Sequence, residues 1–488
     1  MPGTDAIPPC ARVHALRSDL RACMIDGLLY CVMVGIAELY IPAFVEALGL
    51  GPVPVGLIAT VPLLIGAAVQ LRAPALLRRM GSYSRFVAIC AYVQALMYLP
   101  LALVALSAHR TLPLLREHHA QWVMTGLVFV LVSIYWTAAL ACGPAWITLA
   151  GAIIPARIRT NYFARRLRWL QGAQLLAILL HGVIMTRLAG NPGQRSEGIA
   201  LGDGAGGMNP AVAGFAVIFT LGFLARAGSG YYLSRYSAPR HPPEHEHEVR
   251  LGAFLSRLTH SRDGRYVLYI GLMNAASLLA NPFFNPYMLD MLGLRHRALS
   301  EVLSGAGSAY AFFLAAGFLG RVLALPFIGR GVQRHGAFRV LVTGSLMIIP
   351  VPVLWLLTDD VWALLGFQVA TGVAQATFEY AAFMMYYEAV APRERTSIVT
   401  QFQFLNESCK SAGSLVGAQL LRGFGKDTHA YAIVFWTSAI ARLAVLPLVA
   451  RVAGARHRPE EITTQLIGEP RPAEPMMTEV RRISTPDE

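Results

Sequence analysis

Residues 22–48 read ACMIDGLLYCVMVGIAELYIPAFVEAL, an apolar run whose only charged residues are carboxylates. A helix needs about 20 apolar residues to cross the hydrocarbon core of a bilayer, so this run predicts a membrane-spanning helix. Backbone groups in hydrocarbon must satisfy one another, and each similar run along the chain therefore also predicts a helix. The predicted helices 1 to 12 are 22–48, 53–77, 84–107, 121–147, 163–187, 210–236, 265–292, 300–328, 338–358, 361–390, 396–421 and 429–452.

The composition of the whole chain is that of a membrane protein. Of 488 residues, 55% are hydrophobic and 14% are charged, whereas charged residues make up about 25% of an ordinary soluble domain. The six cysteines have no paired spacing, which predicts neither disulfides nor a metal site. A Walker A sequence, a Gly-rich nucleotide loop and hydrolase signatures are all missing, which argues against ATP-driven transport, enzymatic activity and a bound cofactor.

Positive charges are distributed unevenly between the two ends of the predicted helices. If the chain starts in the cytoplasm, the cytoplasmic segments hold 29 of the 41 lysines and arginines and the opposite loops hold 8. Positively charged loops stay inside, so both termini are predicted to be cytoplasmic. This pattern explains the net charge of +13 without a nucleic-acid partner. Only Lys410 and Lys426 are lysines, and the preference for arginine indicates a GC-rich bacterial genome and hence a bacterial inner (plasma) membrane.

Three polar stretches lie outside the predicted helices. Residues 1–21 form a cytoplasmic segment with no A-x-A cleavage site, so we expect no removed signal peptide. Residues 237–264 form a charged cytoplasmic linker, and residues 453–488 a proline-containing tail that is predicted to be disordered. The spacing of His241, His245 and His247 in the linker matches no standard metal site, so a solvated linker is the preferred interpretation.

The second half of the chain repeats short motifs of the first half in the same order. Each motif falls at the corresponding helix of a six-helix unit, which predicts a duplicated bundle. The matched pairs are 42–50 with 286–294 at the ends of helices 1 and 7, 79–85 with 334–339 after helices 2 and 8, 157–160 (RIRT) with 393–396 (RERT) after helices 4 and 10, and 225–226 with 441–442 in helices 6 and 12.

These residues resemble the major facilitator superfamily, which keeps a G-x-x-x-D-R-x-G-R/K-type loop after helix 2 and a weaker copy after helix 8. The Arg-x-Gly core occurs here as 79–81 and again as 334–336, but Arg78 and Gln333 replace the family's Asp. The resemblance covers residues 20–455. It implies an all-α membrane protein with two pseudo-symmetric six-helix bundles, 22–236 and 265–452. It also implies a central cavity lined mainly by helices 1, 4, 7 and 10, and alternating access.

The resemblance also implies a gate on the cytoplasmic side. Its candidate residues in the two loops are Arg79, Gly81, Arg334 and Gly336. Glu388, near the cytoplasmic end of helix 10, is close in sequence to Arg393 and Arg395 and is a candidate for a gate ion pair.

Three acids lie deep within predicted helices: Glu38, Glu379 and Glu407. A charge at this depth costs roughly 2.5–3.5 kcal/mol, so it needs a partner, water or a function. Glu38 and Glu379 are predicted at similar depth, and neither has an opposite charge one turn away in its own helix. An acid in an apolar cavity can take up and release a proton, so the three acids are candidates for proton coupling. The alternative is a structural pair with an arginine or lysine.

Helix 11 carries a polar stripe at spacings of 3 and 4 residues, formed by Thr400, Gln403, Glu407, Lys410 and Ser414. Glu407 and Lys410 can pair with each other across one turn, which is the structural alternative to a role in the cavity. Superposing the two Arg-x-Arg-Thr loops gives an offset of 236. This offset places Gln171 and Gln174 of helix 5 at the positions of that pair, so both stripes are predicted to face the cavity.

Further cavity candidates come from helices 4, 7 and 10: Tyr135, Trp136, Asn281 and Tyr380. Aromatic rings can stack on a ligand or hold a cation, although they more often pack against helices or lipid. The prolines at 282 and 286 predict that helix 7 is broken in its upper part. Arg226 and Arg442 are equivalent by repeat and are predicted to snorkel towards the headgroups. Arg321 of helix 8 is a candidate for a substrate or coupling role.

We therefore expect a monomeric secondary transporter of a small organic solute, coupled to protons and embedded in a lipid bilayer. Aromatic and oppositely charged side chains near the cavity indicate an amphipathic or zwitterionic solute. The alternative is a transporter-like membrane sensor or assembly partner that binds a ligand without turnover. The missing acids in the loops after helices 2 and 8 favour that alternative.

Overall fold

A computed structural model describes residues 9–48, 50, 52–114, 118–189, 210–237, 249, 251–284, 287, 309–425 and 427–453. In this part of the chain the regular elements are all helical. The first half contains helix 1 (Pro9–Ile36 and Ile41–Ala47), helix 2 (Pro52–Val69 and Ala73–Met80), helix 3 (Tyr83–Leu96 and Tyr98–Leu114), helix 4 (His118–Ile153), helix 5 (Ala156–Ala189) and helix 6 (Pro210–Ser234).

A short linker helix, Leu251–Arg257, precedes the second half. This half contains helix 7 (Arg262–Leu278), helix 8 (Ala309–His335), helix 9 (Ala337–Ile348 and Val351–Leu354), helix 10 (Val361–Ala389), helix 11 (Arg395–Phe424) and helix 12 (Thr428–Val445 and Leu448–Ala453). Within the described ranges, 9 stretches are long and apolar enough to cross a membrane. The twelve helices of the described ranges, which include these nine stretches, are consistent with the twelve predicted apolar runs.

The two halves are built alike. Helix 1 packs against helices 5 and 6 as helix 7 packs against helices 11 and 12, and helix 4 packs against helices 2 and 3 as helix 10 packs against helices 8 and 9. Helices 4 and 10 end at Ile153 and Ala389, which agrees with the repeat offset of 236. The loops after helices 2 and 8 both turn on a glycine with positive φ, 64° at Gly81 and 81° at Gly336. Glycine adopts this conformation without the steric penalty that a Cβ brings.

The first helix of each half is interrupted at a similar point. Helix 1 stops at Ile36 and continues as a 3₁₀ turn over Glu38–Tyr40, and helix 7 stops at Leu278 and continues as a 3₁₀ turn over Asn281–Phe283. A proline follows or lies inside each turn and lacks the N–H that a continuous helix requires. The break in helix 7 agrees with the sequence, whereas the break in helix 1 was not foreseen.

Two segments that the sequence prediction leaves outside the membrane helices contain regular structure. Helix 1 begins at Pro9, so part of the predicted N-terminal segment is helical. The linker is packed where it is described, because Phe254 is buried and Val249 donates a backbone hydrogen bond to Ser397 of helix 11 at 3.0 Å. Arg257 pairs with Glu394 at 3.0 Å. The linker histidines and the tail beyond 453 lie outside the described residues.

Three clusters of buried apolar side chains hold the bundle together. One contains side chains of both halves, including Phe163 of helix 5 and Met385 of helix 10. The other two each draw on one half, around Phe44 in the first and Phe435 in the second. We call the face at which helices 4 and 10 end the linker side, and the opposite face the far side. Among the described residues, the halves share a core on the linker side and have separate cores towards the far side.

Candidate functional site

The linker side is closed by aromatic rings and guanidinium groups. Phe163 of helix 5 stacks on Tyr387 of helix 10 with ring centroids 5.9 Å apart, and meets Phe383 edge-on at 5.1 Å. The guanidinium carbons of Arg159 and Arg395 lie 4.6 and 5.0 Å from the centroid of the Tyr387 ring. These two arginines are equivalent residues of the repeated Arg-x-Arg-Thr loops. We call them, with Tyr387, the tyrosine clamp.

Hydrogen bonds join the halves at the same level. Thr396 donates to the hydroxyl of Thr148 at 2.8 Å, and the clamp tyrosine donates to the carbonyl of Ile147 at 3.1 Å. Tyr380 donates to the carbonyl of Thr160 in helix 5. Tyr380 was a candidate for the cavity wall, but its side chain is fully buried and belongs to this closure.

Glu388 and the loop arginines contribute differently from the expected gate. Glu388 accepts a backbone hydrogen bond from Ala337 at 3.4 Å, at the start of helix 9. Arg393 is exposed, as are the two loop residues Arg79 and Arg334. The described closure therefore depends on the clamp and its hydrogen bonds.

A charged pair lies on the far side of this closure. The two terminal guanidinium nitrogens of Arg321 in helix 8 donate to the carboxylate of Glu379 in helix 10, at 2.7 and 3.2 Å. One of them also donates to Gln375 at 2.5 Å. The sequence left Glu379 without a partner because its partner comes from another helix. The side chains are 19% exposed for Arg321 and 53% exposed for Glu379.

Helical geometry shows which way this pair faces. On helix 8 the exposed apolar side chains recur every fourth residue, at Leu319, Leu323 and Phe327. Arg321 lies two residues from the first two, which is about 200° around the helix from that stripe. Glu379 likewise lies about 220° around helix 10 from the exposed position 366. A half-exposed carboxylate that faces the protein interior must border an open space, and the separate far-side cores place that space between the halves.

The polar stripe of helix 11 faces the first half of the chain. A Cβ at Gly143 of helix 4 would lie 2.7 Å from the amide nitrogen of Gln403, so this glycine permits the close approach of the two helices. Lys410 pairs with Glu407 at 2.8 Å, with side chains 34% and 13% exposed. Asn406 accepts a hydrogen bond from Asn274 of helix 7 at 2.7 Å, which fixes the rotation of helix 11.

Helix 5 presents the matching residues. Gln171 and Gln174 lie away from its exposed row, which contains Trp169, Leu176, Leu180 and Val183. The side-chain oxygen of Gln171 is buried and has no hydrogen-bond partner among the described residues. The structure thus places the two stripes on the inner faces of equivalent helices.

Glu38 lies at a different level from Glu379. Its carboxylate accepts a hydrogen bond from Tyr135 of helix 4, whose hydroxyl also accepts one from Tyr98 of helix 3 at 3.0 Å. Tyr135 is fully buried, so its ring forms no open cavity wall, and Trp136, which is partly exposed, packs on it edge-on. By the repeat offset, Tyr135 lies eight residues, or about 12 Å, farther from the linker side than Glu379. The expectation that both acids share one depth is therefore wrong.

Two buried arginines contradict the snorkelling prediction. Arg226 is 3% exposed and donates to Gln94 at 2.6 Å and to Ser229 at 2.9 Å. Arg442 is 2% exposed and donates at 2.5 Å to the carbonyl of Ile348, where helix 9 breaks. Both side chains point into their own bundle because unsatisfied polar groups there need a donor.

Sequence reasoning missed an ion pair inside the first half. Arg166 of helix 5 lies 3.5 Å from Asp26 of helix 1, and its guanidinium carbon lies 4.7 Å from the centroid of the Trp146 ring. Tyr236 donates to Asp26 at 2.5 Å. Arg166 had been counted with the cytoplasmic arginines. The available signal was Asp26, an acid in the predicted helix 22–48, which contains no basic residue. Among the described residues, no group of three or more potential ligands could hold a metal ion.

Solved structures share this arrangement of helices. One is a bacterial homologue of the iron transporter ferroportin in an outward-facing state, with a TM-score of 0.63, 12% identity and coverage of 89% of this chain and 99% of that one. This is the major facilitator fold.

Two further solved structures share this fold, although their names describe different functions. FucP of E. coli, in the outward conformation, has a TM-score of 0.63 and 10% identity, and the match covers 90% of this chain and 99% of that one. The human organic anion transporter MFSD10 has a TM-score of 0.59 and 13% identity, covering 91% of this chain and 100% of that one. No protein-family model and no curated protein sequence matches this chain. At these identities the likeness establishes the fold alone.

Proposed function

We propose that the chain is a secondary active transporter of a small organic solute, working by alternating access and held here in its outward-facing state. The observation that carries this proposal is the Arg321–Glu379 pair, which faces the interior with Glu379 53% exposed. A space that is open on the far side and closed on the linker side is one end state of an alternating-access cycle. Two of the similar structures are also outward-facing.

The proposed solute carries both charges. Glu379 is the more exposed member of its pair and offers a carboxylate, whereas Lys410 is the more exposed member of the other pair and offers an ammonium group. Charges at membrane depth cost several kcal/mol, so two partly open pairs are best explained by a ligand that uses them. We therefore propose a zwitterionic solute. The similar structures are named for iron, fucose and organic anions, so the substrate class rests on this chain's own residues.

We further propose that Glu38 couples transport to protons. It stands at the break of helix 1, where it accepts a hydrogen bond from Tyr135, and it is an acid whose proton affinity responds to its surroundings. One of the similar structures, FucP, is a fucose:proton symporter, which provides a precedent within the fold. Glu379, already paired with Arg321, is assigned to the solute.

Transport is tested in two steps with purified protein. A thermal-shift screen of zwitterionic solutes should identify ligands that raise the melting midpoint, and Glu379→Gln should lose that shift. Proteoliposome flux of each ligand is then measured with and without an inward proton gradient, and accumulation should require the gradient. A ligand that binds without flux under either condition would favour the alternative of a membrane sensor. The replacement of the family's acid by Arg78 and Gln333 supports that alternative.

We also propose that the linker side is cytoplasmic, in a bacterial inner membrane, because the segments predicted on that side hold 29 basic residues against 8 in the opposite loops. Cysteines replacing Arg250 in the linker and Asp359, in the far-side loop between helices 9 and 10, test this orientation. An impermeant maleimide added to whole cells should label position 359 and leave position 250 unlabelled until the membrane is permeabilised. Labelling in the reverse order would invert the assignment.

A further inference from the structure

The break in helix 1 releases a backbone carbonyl. In a continuous helix Tyr40 would donate to Ile36, but its N–H instead donates to Ala37 at 3.1 Å. The carbonyl of Ile36 therefore has no partner within its own helix. A buried carbonyl without a hydrogen bond is costly, so another element must supply the donor.

His181 of helix 5 supplies that donor. Its Nδ1 lies 2.9 Å from the carbonyl oxygen of Ile36, and its ring stacks on Tyr40 with centroids 3.2 Å apart and planes at 7°. Because a carbonyl only accepts, Nδ1 must carry the hydrogen. His181 is 6% exposed. It therefore holds the residue before the break by a hydrogen bond and the last residue of the turn by its ring.

The two helices are brought together directly before the break. A Cβ at Gly35 would lie 2.6 Å from the carbonyl oxygen of Gln174 and 2.8 Å from the Cβ of Ala177. Only a residue without a side chain allows helices 1 and 5 to approach this closely. The contact fixes the height of His181 opposite the break, and the segment that it holds contains Glu38.

The second half solves the same problem without a histidine. At the break of helix 7, the carbonyl of Ala276 accepts from Ser438 at 2.7 Å, and that of Ser277 accepts from the N–H of Ala280 at 3.2 Å and from Arg442 at 3.4 Å. The equivalent 3₁₀ turn contains no acid, since it reads Asn281, Pro282, Phe283. The histidine and the acid thus occur together in one half and are both missing from the described turn of the other.

We propose that His181 is a positioning residue, which holds the break of helix 1 so that the carboxylate of Glu38 stays on Tyr135. The inference rests on the proposed coupling role of Glu38, but the position of the carboxylate can be measured without any solute. The other ionisable side chains near this carboxylate are Tyr30 and Cys31 of helix 1, Tyr98 of helix 3 and Arg226 of helix 6.

The test is an infrared pH titration of the full-length protein in lipid, in which Glu38→Gln identifies the carboxyl band of Glu38. His181→Phe keeps a ring to stack on Tyr40 but removes the donor, and His181→Asn keeps a donor at the δ position but removes the ring. We expect the midpoint to move by about one pH unit or more in the Phe variant, a tenfold change in proton affinity. The Asn variant should titrate like the unmodified protein.

Each other outcome counts against the proposal. An unchanged midpoint in the Phe variant would show that His181 does not position Glu38, and equal shifts in both variants would assign the effect to the ring. If the Phe variant does not fold, the ¹⁵N spectrum of histidine-labelled protein decides, with His181→Asn identifying the signal. The hydrogen must be on Nδ1, and an Nε2–H ring would overturn the proposal. If no solute is transported although these spectra are as expected, the proposed function is rejected instead.

Discussion

Replacing Tyr387 should open the linker side. This ring makes three kinds of contact with the first half: it lies under the guanidinium group of Arg159, stacks on Phe163 and donates a hydrogen bond to Ile147. Its contact with Arg395 stays within the second half and persists when the halves separate. Only the contacts that cross between the halves favour the closed linker side, so only those enter the estimate.

The magnitude follows from these contacts. A partly desolvated cation–π contact at 4.6 Å contributes about 1–2 kcal/mol. A ring pair at 5.9 Å contributes about 0.5–1 kcal/mol, and one hydrogen bond about 1 kcal/mol. Together these favour closure by about 3 kcal/mol, or roughly a hundredfold in the ratio of closed to open states. Tyr387→Leu loses them all, whereas Tyr387→Phe loses only the hydrogen bond and should shift the ratio about fivefold.

Spin labels provide the assay. Arg79 and Arg334 are exposed on the linker side, one in each half, and cysteines at both positions report the separation of the halves by double electron–electron resonance. The parent pair should show one short distance, Tyr387→Leu a dominant longer one, and Tyr387→Phe a minor longer component. If the distance distribution of Tyr387→Leu overlays that of the parent, the clamp does not hold the closure and the reasoning fails.

Cysteines placed together at Thr148 and Thr396 should form a disulfide under mild oxidation, because the hydroxyl oxygens are 2.8 Å apart. The cross-linked protein should bind solute but not transport it, and flux that survives cross-linking would contradict the closure. Replacing Arg442 with Met should cost about 1–3 kcal/mol, because it leaves the buried carbonyl of Ile348 without this donor; an unchanged melting midpoint would show that Arg442 does not have this role. Glu38→Gln should abolish proton-driven accumulation and leave solute exchange, whereas Glu379→Gln should weaken solute binding about tenfold, measured by flux and thermal shift. Identical effects of the two variants would show that the acids share one task.

The fold was predictable because two physical constraints act on every helix. Length and apolarity identify a membrane span, and repeated loop motifs relate the halves with an offset that the helix ends at Ile153 and Ala389 reproduce. The inward direction of the helix 11 stripe was also predictable, because residues at spacings of 3 and 4 share one face. The Glu407–Lys410 pair follows from the same spacing.

Contacts between helices could not be read from one helix at a time. Arg321 lies 58 residues before Glu379, and nothing in either sequence segment reports the crossing of helices 8 and 10 that joins them. Arg226 and Arg442 were assigned to the lipid headgroups because their position along the helix is visible in sequence but their rotation is not. The break in helix 1 was missed because Pro42 lies near a predicted helix end, where a proline is unremarkable.

The polar groups of the interior occupy three levels, and helix 5 contacts all of them. Phe163 lies in the linker-side closure and His181 lies at the break of helix 1. Gln171 lies between these two levels along helix 5. By the repeat offset, Tyr135, which donates to Glu38, lies about 12 Å farther from the linker side than Glu379. A proton on Glu38 therefore does not act on a ligand at Glu379 through a hydrogen bond. Helix 5 is continuous from Ala156 to Ala189, so it moves as one rod. If the proposed function is correct, protonation at the break of helix 1 therefore affects the solute site and the linker-side closure by displacing helix 5.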